Sequence, residues 1–436
     1  MSFYRVGTAH SYDNTISRIS QRTVALTEAQ EKLAAGKRVL RATDDPVSAT
    51  LAEREQNRLL RVQADMRGLE RSRSALQLAE SATGDAVDLM QRIKELVVQA
   101  GNTVLSAGDR QSIASELRGL RSQLLDVANT KDSEGQALFG GLGTLATSGT
   151  PFADVYNASP AVQYQAIAGQ NAATENTLPA RSDGDFAFMR NLTGNGTFVV
   201  SHVTGDAIAS TGSVVGTPNA NVLPYDPDPT VTAQGFYTVD FALDASVPAR
   251  LTMQVNRTDK VPPGAGAAVA VGAPVDLGVY NNEPMDLGGR TLAFEGIQLE
   301  LDGLAAPGAQ VRIDPSETSD LFATVQKAID VLENPNTTFV GPRVTQELAQ
   351  VHEELESGLN RLLLVQGRLG EWLRRADGME NAMQNREVDH QTQLSNLTDL
   401  DMVKGISDFE SQQLGLQAAL QSYAQVQKLS LFQYIA

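Results

Sequence analysis

Residues 344–383, VTQELAQVHEELESGLNRLLLVQGRLGEWLRRADGMENAM, decide the fold. Val344, Leu348, Val351, Leu355, Gly358, Leu362, Val365, Leu369, Trp372, Ala376, Met379 and Met383 follow one another at spacings of four and three. That spacing places all of them on one stripe of a helix, a coiled-coil seam about five heptads long. A helix of that length spans roughly 60 Å, too long for a compact domain to wrap. The stripe therefore needs partner helices from elsewhere in the chain.

Both ends of the chain offer them. At the N-terminal end Ile19, Leu26 and Leu33 repeat at seven, with Ile16 half a heptad earlier. Leu59, Val62, Met66 and Leu69 follow, then Leu76, Ala79, Thr83, Ala86, Met90, Ile93 and Val97, and a shorter run of Ile113, Leu117, Leu120, Leu124 and Val127. Beyond the central seam the pattern resumes at Met402, Ile406, Phe409, Gln413, Leu416, Leu420, Tyr423 and Gln427, and ends in the apolar stretch Leu429–Ile435, which includes Phe432. No end segment can bury its stripe alone. The expected arrangement is an α+β multidomain chain in which long coiled-coil-like helices from both termini pack in a rod, with a β-rich domain inserted between them.

Proline marks where the helices stop. Thirteen of the 17 prolines fall between Pro151 and Pro307, so the ends are free to be helical and the middle is not. Within the middle, Tyr237, Val239, Phe241 and Leu243 alternate with Phe236, Thr238, Asp240 and Ala242, and Leu251, Met253 and Val255 alternate with polar residues. Leu292 and Phe294, then Ile297, Leu299 and Leu301, suggest one strand with a shift near Gly296. The Gly/Ala tract from Gly264 to Gly272 and the stretch from Gly141 to Thr150 read as loops. The expected division is an N-terminal helical segment 1–141, a β-rich domain 142–315 and a C-terminal helical segment 316–436.

The formal charge of −17, with a pI near 4.7, argues against a nucleic-acid or anionic-membrane partner. It is unevenly spread: +2 over residues 1–130, −10 over 131–312 and −9 over 313–436. Cysteine is absent, which suits an exported chain without disulfides and many cytosolic proteins alike. Met1 to Asp13 lack a signal-peptide layout, and no run of 18 apolar residues occurs. Export would need a route that leaves the N-terminus uncleaved.

The sequence offers no catalytic constellation. His10, His202, His352 and His390 are far apart, and without cysteine a zinc site has no local ligand set. Asp226 and Asp228 stand in a run that lacks the glycine and glutamate of a calcium loop. Gly36-Lys37 resembles the end of a P-loop, but Glu31 replaces the required first glycine. No metal, cofactor or catalytic residue is expected. Asp44-Asp45-Pro46 reads as a helix start, with aspartate as N-cap and proline at the first helical position. A tight break there could also set the angle at which subunits meet. Trp372 reads as core.

Several ordered stretches carry a family resemblance. Ala35-Gly36-Lys37-Arg38-Val39-Leu40, followed by Thr43-Asp44-Asp45-Pro46-Val47, resembles the N-terminal signature of the flagellin superfamily. Ala137-Leu138-Phe139-Gly140-Gly141 is similar to that superfamily's exit from the helical region, and Ser319-Asp320-Leu321-Phe322-Ala323-Thr324 to its re-entry. Leu416 through Leu420 and Ser430 through Ile435 resemble its C-terminal pattern. Asp-Asp followed by Pro46-Val47 points to the hook–filament junction branch. Gly308-Ala309 departs from the branch, which often carries Gly-Asp before the last strand.

This resemblance implies a non-enzymatic structural subunit, exported through the flagellum's type III channel and located outside the cell at the hook–filament junction. Its implied partners are further copies of itself in a ring, the first hook-associated protein, flagellin, and a cytoplasmic export chaperone before secretion. The implied assembly residues are Ile16, Ile19, Leu26, Leu33, Ile406, Phe409, Leu416, Leu420, Tyr423 and Phe432, with Asp44, Asp45 and Pro46 as the helix break. The alternative within the superfamily is flagellin, the bulk filament subunit. An enzyme with its site in the β domain and a cytosolic coiled-coil scaffold are the readings outside it.

Overall fold

The computed structural model describes residues 8–102, 105–144, 150–154, 162–174, 177–179, 181–204, 206–216, 235–261, 264–333 and 342–435. Its principal helices are α1 (Thr8–Ala35), α2 (Pro46–Ala100), α3 (Ala107–Ala128), α4 (Leu321–Glu333), α5 (Pro342–Thr398) and α6 (Met402–Ile435). The strands lie between α3 and α4. The chain divides into two compact units, Met1–Gly68 with Asp377–Ala436, and Leu69–Ala376.

In the second unit, the Val344–Ala376 part of the stripe is the buried face of α5. Val351, Leu355, Leu362 and Leu369 are fully buried and Leu348 is 2 % exposed. Facing them, Leu76, Ala79, Thr83, Ala86, Met90, Ile93 and Val97 on α2 are all 2 % exposed or less. Each such leucine or isoleucine taken from water contributes about 1.5–3 kcal/mol. Gly358 is on the seam because no side chain fits: a Cβ there would collide with Leu321 and stand 3.5 Å from Met90 Cε. Trp372 is only half-buried, a partial departure from its expected core position.

Helix α3 opens on a capping box in which Ser106 and Asp109 satisfy each other's backbone N–H groups. It packs on α4. Below them Phe139, Phe152, Phe188 and Phe322 form an aromatic cluster with ring centroids 5.2–6.0 Å apart. The Leu-Phe-Gly-Gly exit thus supplies Phe139 to the core, while Gly141 turns the chain at φ +54°. The re-entry is a helix cap: the Asp320 carboxylate accepts the Ala323 N–H at 2.6 Å.

Short paired strands frame the middle region: β1 (Gly143–Thr144) with β4 (Ala166–Ile167), β2 (Phe152–Asp154) with β3 (Val162–Tyr164), and β5 (Asn191–Leu192) with β15 (Thr318–Ser319). The rest form two antiparallel sheets. One runs β10 (Gly264–Val279), β9 (Arg250–Val261), β8 (Phe236–Leu243), β14 (Gln310–Pro315), β6 (Phe198–Thr204). In the other, β13 (Ile297–Ala305) pairs with β11 (Met285–Asp286), β12 (Arg290–Phe294) and β7 (Asp206–Val214). The two sheets share one core, in which Tyr237, Val239, Leu251, Leu299, Leu301, Val311 and Ile313 are 1 % exposed or less.

Two sequence expectations are corrected here. The tract Gly264–Gly272 is not a loop but the first part of β10, held to β9 through three register shifts. Glycine and alanine have low strand propensity, and pairing along β9 overrides it. Leu292 to Leu301 is not one shifted strand but a hairpin: Phe294 pairs with Ile297 across Glu295 and Gly296, at φ 39° and 85°. Both central residues with positive φ match the two-residue turns that suit strand twist. The acidic pair Asp226 and Asp228 lies outside the described residues.

Candidate assembly site at the paired terminal helices

The first unit is organised by two chain breaks. Helix α1 ends because Gly36 takes φ +66°, letting the Lys37 N–H reach back to the Lys32 carbonyl at 3.2 Å. Helix α2 starts as the sequence implied. Pro46 is its first residue, and Asp45 Oδ1 accepts the Ser48 N–H at 3.0 Å. Asp44 is not a second cap: its Oδ2 accepts the N–H groups of Leu40 and Arg41, each at 3.0 Å, and so holds the intervening loop. Hydrogen bonds from Ser48, then the Arg38 charge, pull the Asp45 carboxyl down to about 2. Asp44 is lowered too, by the Arg41 and Leu40 amides first.

The break between α5 and α6 meets this loop. Arg38 donates its backbone N–H to the Thr398 carbonyl at 2.7 Å, and Leu400 donates to the Gly36 carbonyl at 2.9 Å. Arg38's guanidinium reaches the Leu397 carbonyl at 2.9 Å, Asp45 Oδ2 at 3.2 Å and Ser48 Oγ at 3.3 Å. Asp401 then caps α6, accepting from Val403 and Lys404. One arginine thus binds both breaks.

From this clamp α1 and α6 run antiparallel. A Cβ on Gly405 would stand 2.7 Å from Leu400 Cδ2 and 3.5 Å from Leu33 Cδ1, and one on Gly415 would meet the guanidinium tip of Arg22, which can swing aside. The pairing is shallow. Ile19, Leu26, Leu33, Phe409, Leu416 and Tyr423 are half-buried. Ile16 (51 %), Ile406 (45 %) and Leu420 (48 %) are exposed, as are Leu414 (66 %) and Val403 (82 %). The Phe432 side chain lies outside the described residues. Among the described residues of α1 and α6 only Gly405 is buried. The inward stripe of α6 runs Gly405, Phe409, Gln412, Leu416, Ala419, Tyr423, one residue off the expected seam at three positions.

Arg38 is read from sequence only as part of a family signature, without a role, and Gly405 and Gly415 were missed. Two glycines inside a helix carry a penalty of about 1 kcal/mol each against alanine, and that cost was the available sign of close approach. Deeper in the unit Glu55, 8 % exposed, takes Arg58 Nη1 at 2.6 Å and His390 Nδ1 at 2.8 Å. His390 therefore joins α5 to α2 through the Glu55 carboxylate. Among the described residues no group of three His, Cys, Asp or Glu could hold a metal. No described helix is long and apolar enough to cross a membrane.

Long helices from both ends, a β-rich segment between them and a clamp joining the two breaks make a layout similar to that of flagellin-like subunits. Residues 6–144 match the bacterial flagellin N-terminal helical region. Over that N-terminal stretch the chain is similar to the flagellin superfamily. It is 23 % identical to flagellar hook-associated protein 3 of Salmonella typhimurium over 437 residues, covering 98 % of this chain and 99 % of that one. The crystal structure of flagellar hook associated protein-3 from Legionella pneumophila superposes with a TM-score of 0.64 at 29 % identity, over 79 % of this chain and 98 % of that one. Flagellin of Bacillus subtilis is 32 % identical, but over 130 residues that cover 29 % of this chain and 43 % of the relative.

Proposed function

We propose that this chain is a structural subunit of the bacterial flagellum that forms the junction between hook and filament by packing of its terminal helices. The observation that carries the reading is the unsatisfied surface of α1 and α6: apolar residues on two long helices that the chain itself leaves exposed. Apolar surface of this kind marks a protein–protein contact. Likeness to hook-associated protein 3 runs along the whole chain, whereas likeness to the flagellin of Bacillus subtilis covers less than a third of it, which favours the junction over the bulk filament.

In this reading the chain leaves the cell through the flagellar export channel, escorted first by a cytoplasmic chaperone. It then forms a ring of its own copies between the first hook-associated protein and flagellin. Ile16, Ile19, Leu26, Leu33, Ile406, Phe409, Leu416, Leu420, Tyr423 and Phe432 are its assembly residues, and Asp44, Asp45 and Pro46 fix the break from which they project. Residues 142–315 form the inserted β-rich domain. Deleting the gene should leave hooks intact and lose flagellin to the medium, and labelled antibody should mark the hook–filament boundary. Full filaments on the deletion strain would refute the junction role.

A further inference from the structure

A second surface, away from the terminal helices, lacks a partner of its own. Phe186, in the π-helical turn Asp185–Met189, lies between two arginines of α5. Its ring centroid is 5.3 Å from Arg361 Cζ and 4.9 Å from Arg368 Cζ. Neither guanidinium has a carboxylate among the described residues. Arg361 Nε is buried with no hydrogen-bond partner. Burial first, and the nearby Arg190 second, weaken the hold of Arg361 on its proton. Arg190 is itself paired, with Asp185 at 2.5 Å. Leu364, at i+3 from Arg361 and i−4 from Arg368, is 53 % exposed between them. Two arginines without a carboxylate partner, gathered at one aromatic ring on a surface that also exposes a leucine, supply the arginine enrichment of an interface centre.

The complementary chemistry is on the same chain. Asp85 and Asp88 lie on α2 opposite its buried Ala86 and Met90, both exposed and without a partner among the described residues. Glu95, seven residues on from Asp88, is exposed on the same side. Arg361 and Arg368 are also seven apart, about 10 Å along their helix; with Glu95 engaged by Arg92, Asp85 and Asp88 are the carboxylates this face leaves open. Arg92 stands within the acidic stripe but is neutralised by Glu95 and Glu116, at 3.2 and 2.7 Å.

We infer that the Arg361–Leu364–Arg368 face of α5, with Phe186, docks the Asp85–Asp88 face of α2 of a second copy of this chain. Donor and acceptor faces differ, so the contact is heterologous. Each copy offers one of each face to its neighbours, and the contact propagates into a ring or a continuous array instead of stopping at a pair. This rests on the proposed function and deepens it by naming a lateral contact outside the terminal helices.

The chain has no cysteine, which makes the test clean. Leu364→Cys and Asp88→Cys, singly and together, would replace the parent gene, and isolated flagella would be treated with a short bismaleimide. The double variant should give a ladder of dimers and larger multiples, and neither single variant should. In parallel, Arg361→Glu with Arg368→Glu should cause loss of flagellum-bound chain, Asp85→Arg with Asp88→Arg should do the same, and the four together should restore it. A double variant present in flagella without a ladder, a link to a different polypeptide, or no rescue would overturn the contact and leave the junction reading standing. Absence of the unaltered chain from flagella would overturn the junction reading itself.

Discussion

The backbone N–H of Arg38 donates to the carbonyl of Thr398 at 2.7 Å, so the break before α2 and the break after α5 are one structural feature. Lys37 and Asp399 form an antiparallel bridge beside it. The Arg38 side chain then ties Leu397 to Asp45 and Ser48. Replacing it with methionine keeps the aliphatic stem and removes all three side-chain hydrogen bonds. Arg38→Met should raise amide exchange in both loops, residues 36–45 and 398–401, while leaving exchange in the α5 seam unchanged. A rise confined to one loop would show that the two breaks are independent.

Acid should open the same loop. The Asp45 carboxyl is held at about 2, against an ordinary 3.8, by Ser48 and Arg38. A carboxyl depressed on folding contributes stability that is full above its unfolded value and is lost as pH falls through the folded one. The window is therefore about pH 4 down to about pH 2, and Asp44 acts in the same direction. Exchange at Ser48 and Ala49, corrected for intrinsic rates, should rise across that window. Asp45→Asn keeps a capping oxygen but removes the charge, and should flatten the dependence that Asp45 contributes.

Two leucines near each other on α5 should behave oppositely. Leu362 is fully buried and Leu364 is 53 % exposed. Leu362→Ala should cost about 2–5 kcal/mol, read as a lower melting temperature of the isolated chain. Leu364→Ala should change stability by under about 0.5 kcal/mol. Equal effects would mean that the seam is not the core of its unit.

The seam was legible because leucine and valine at alternating intervals of three and four admit one helical face. The register of α6 was not, since its inward positions include Gly405, Gln412 and Ala419, small or polar residues that carry no hydropathy signal, while the large Ile406, Leu414 and Leu420 point outward. A helix that saves its apolar residues for neighbours misleads any reading that assumes they face its own core. Strand β10 was hidden for a related reason: a Gly/Ala tract becomes a strand only because β9 offers a partner ladder. Glu295-Gly296 was overlooked as a turn because glutamate seldom takes a positive φ.

The β-rich segment should stand alone. Its two sheets share a core to which β14 contributes Val311 and Ile313, with β8 on one side and β6 on the other. A fragment of residues 142–315 keeps every strand of both sheets, and should give a strand-dominated circular dichroism spectrum and one cooperative melt. A shorter fragment ending at residue 307 loses β14 and should not fold. Failure of the longer fragment would mean that the core depends on α5, to which it is joined where Asn191 Nδ2 donates to the Glu354 carbonyl at 2.8 Å.

The terminal helices should be the least protected part of the free chain. Among the described residues they fully bury no residue beyond Gly405 and half-bury the rest of their inward stripe, so limited transfer energy offsets the roughly 1–2 kcal/mol that ordering each backbone residue costs. In the monomer, residues 13–35 and 402–425 should exchange far faster than Val344–Met383, whose stripe is buried. Assembly should slow that exchange, because neighbours would cover Ile16, Ile406, Leu414 and Leu420. Leu414→Asp and Leu420→Asp should then leave the melting of the monomer unchanged and abolish incorporation into flagella. Protection of both helices in the monomer equal to that of the seam, or normal incorporation of either aspartate variant, would place these residues in the chain's own core and remove the basis of the assembly site.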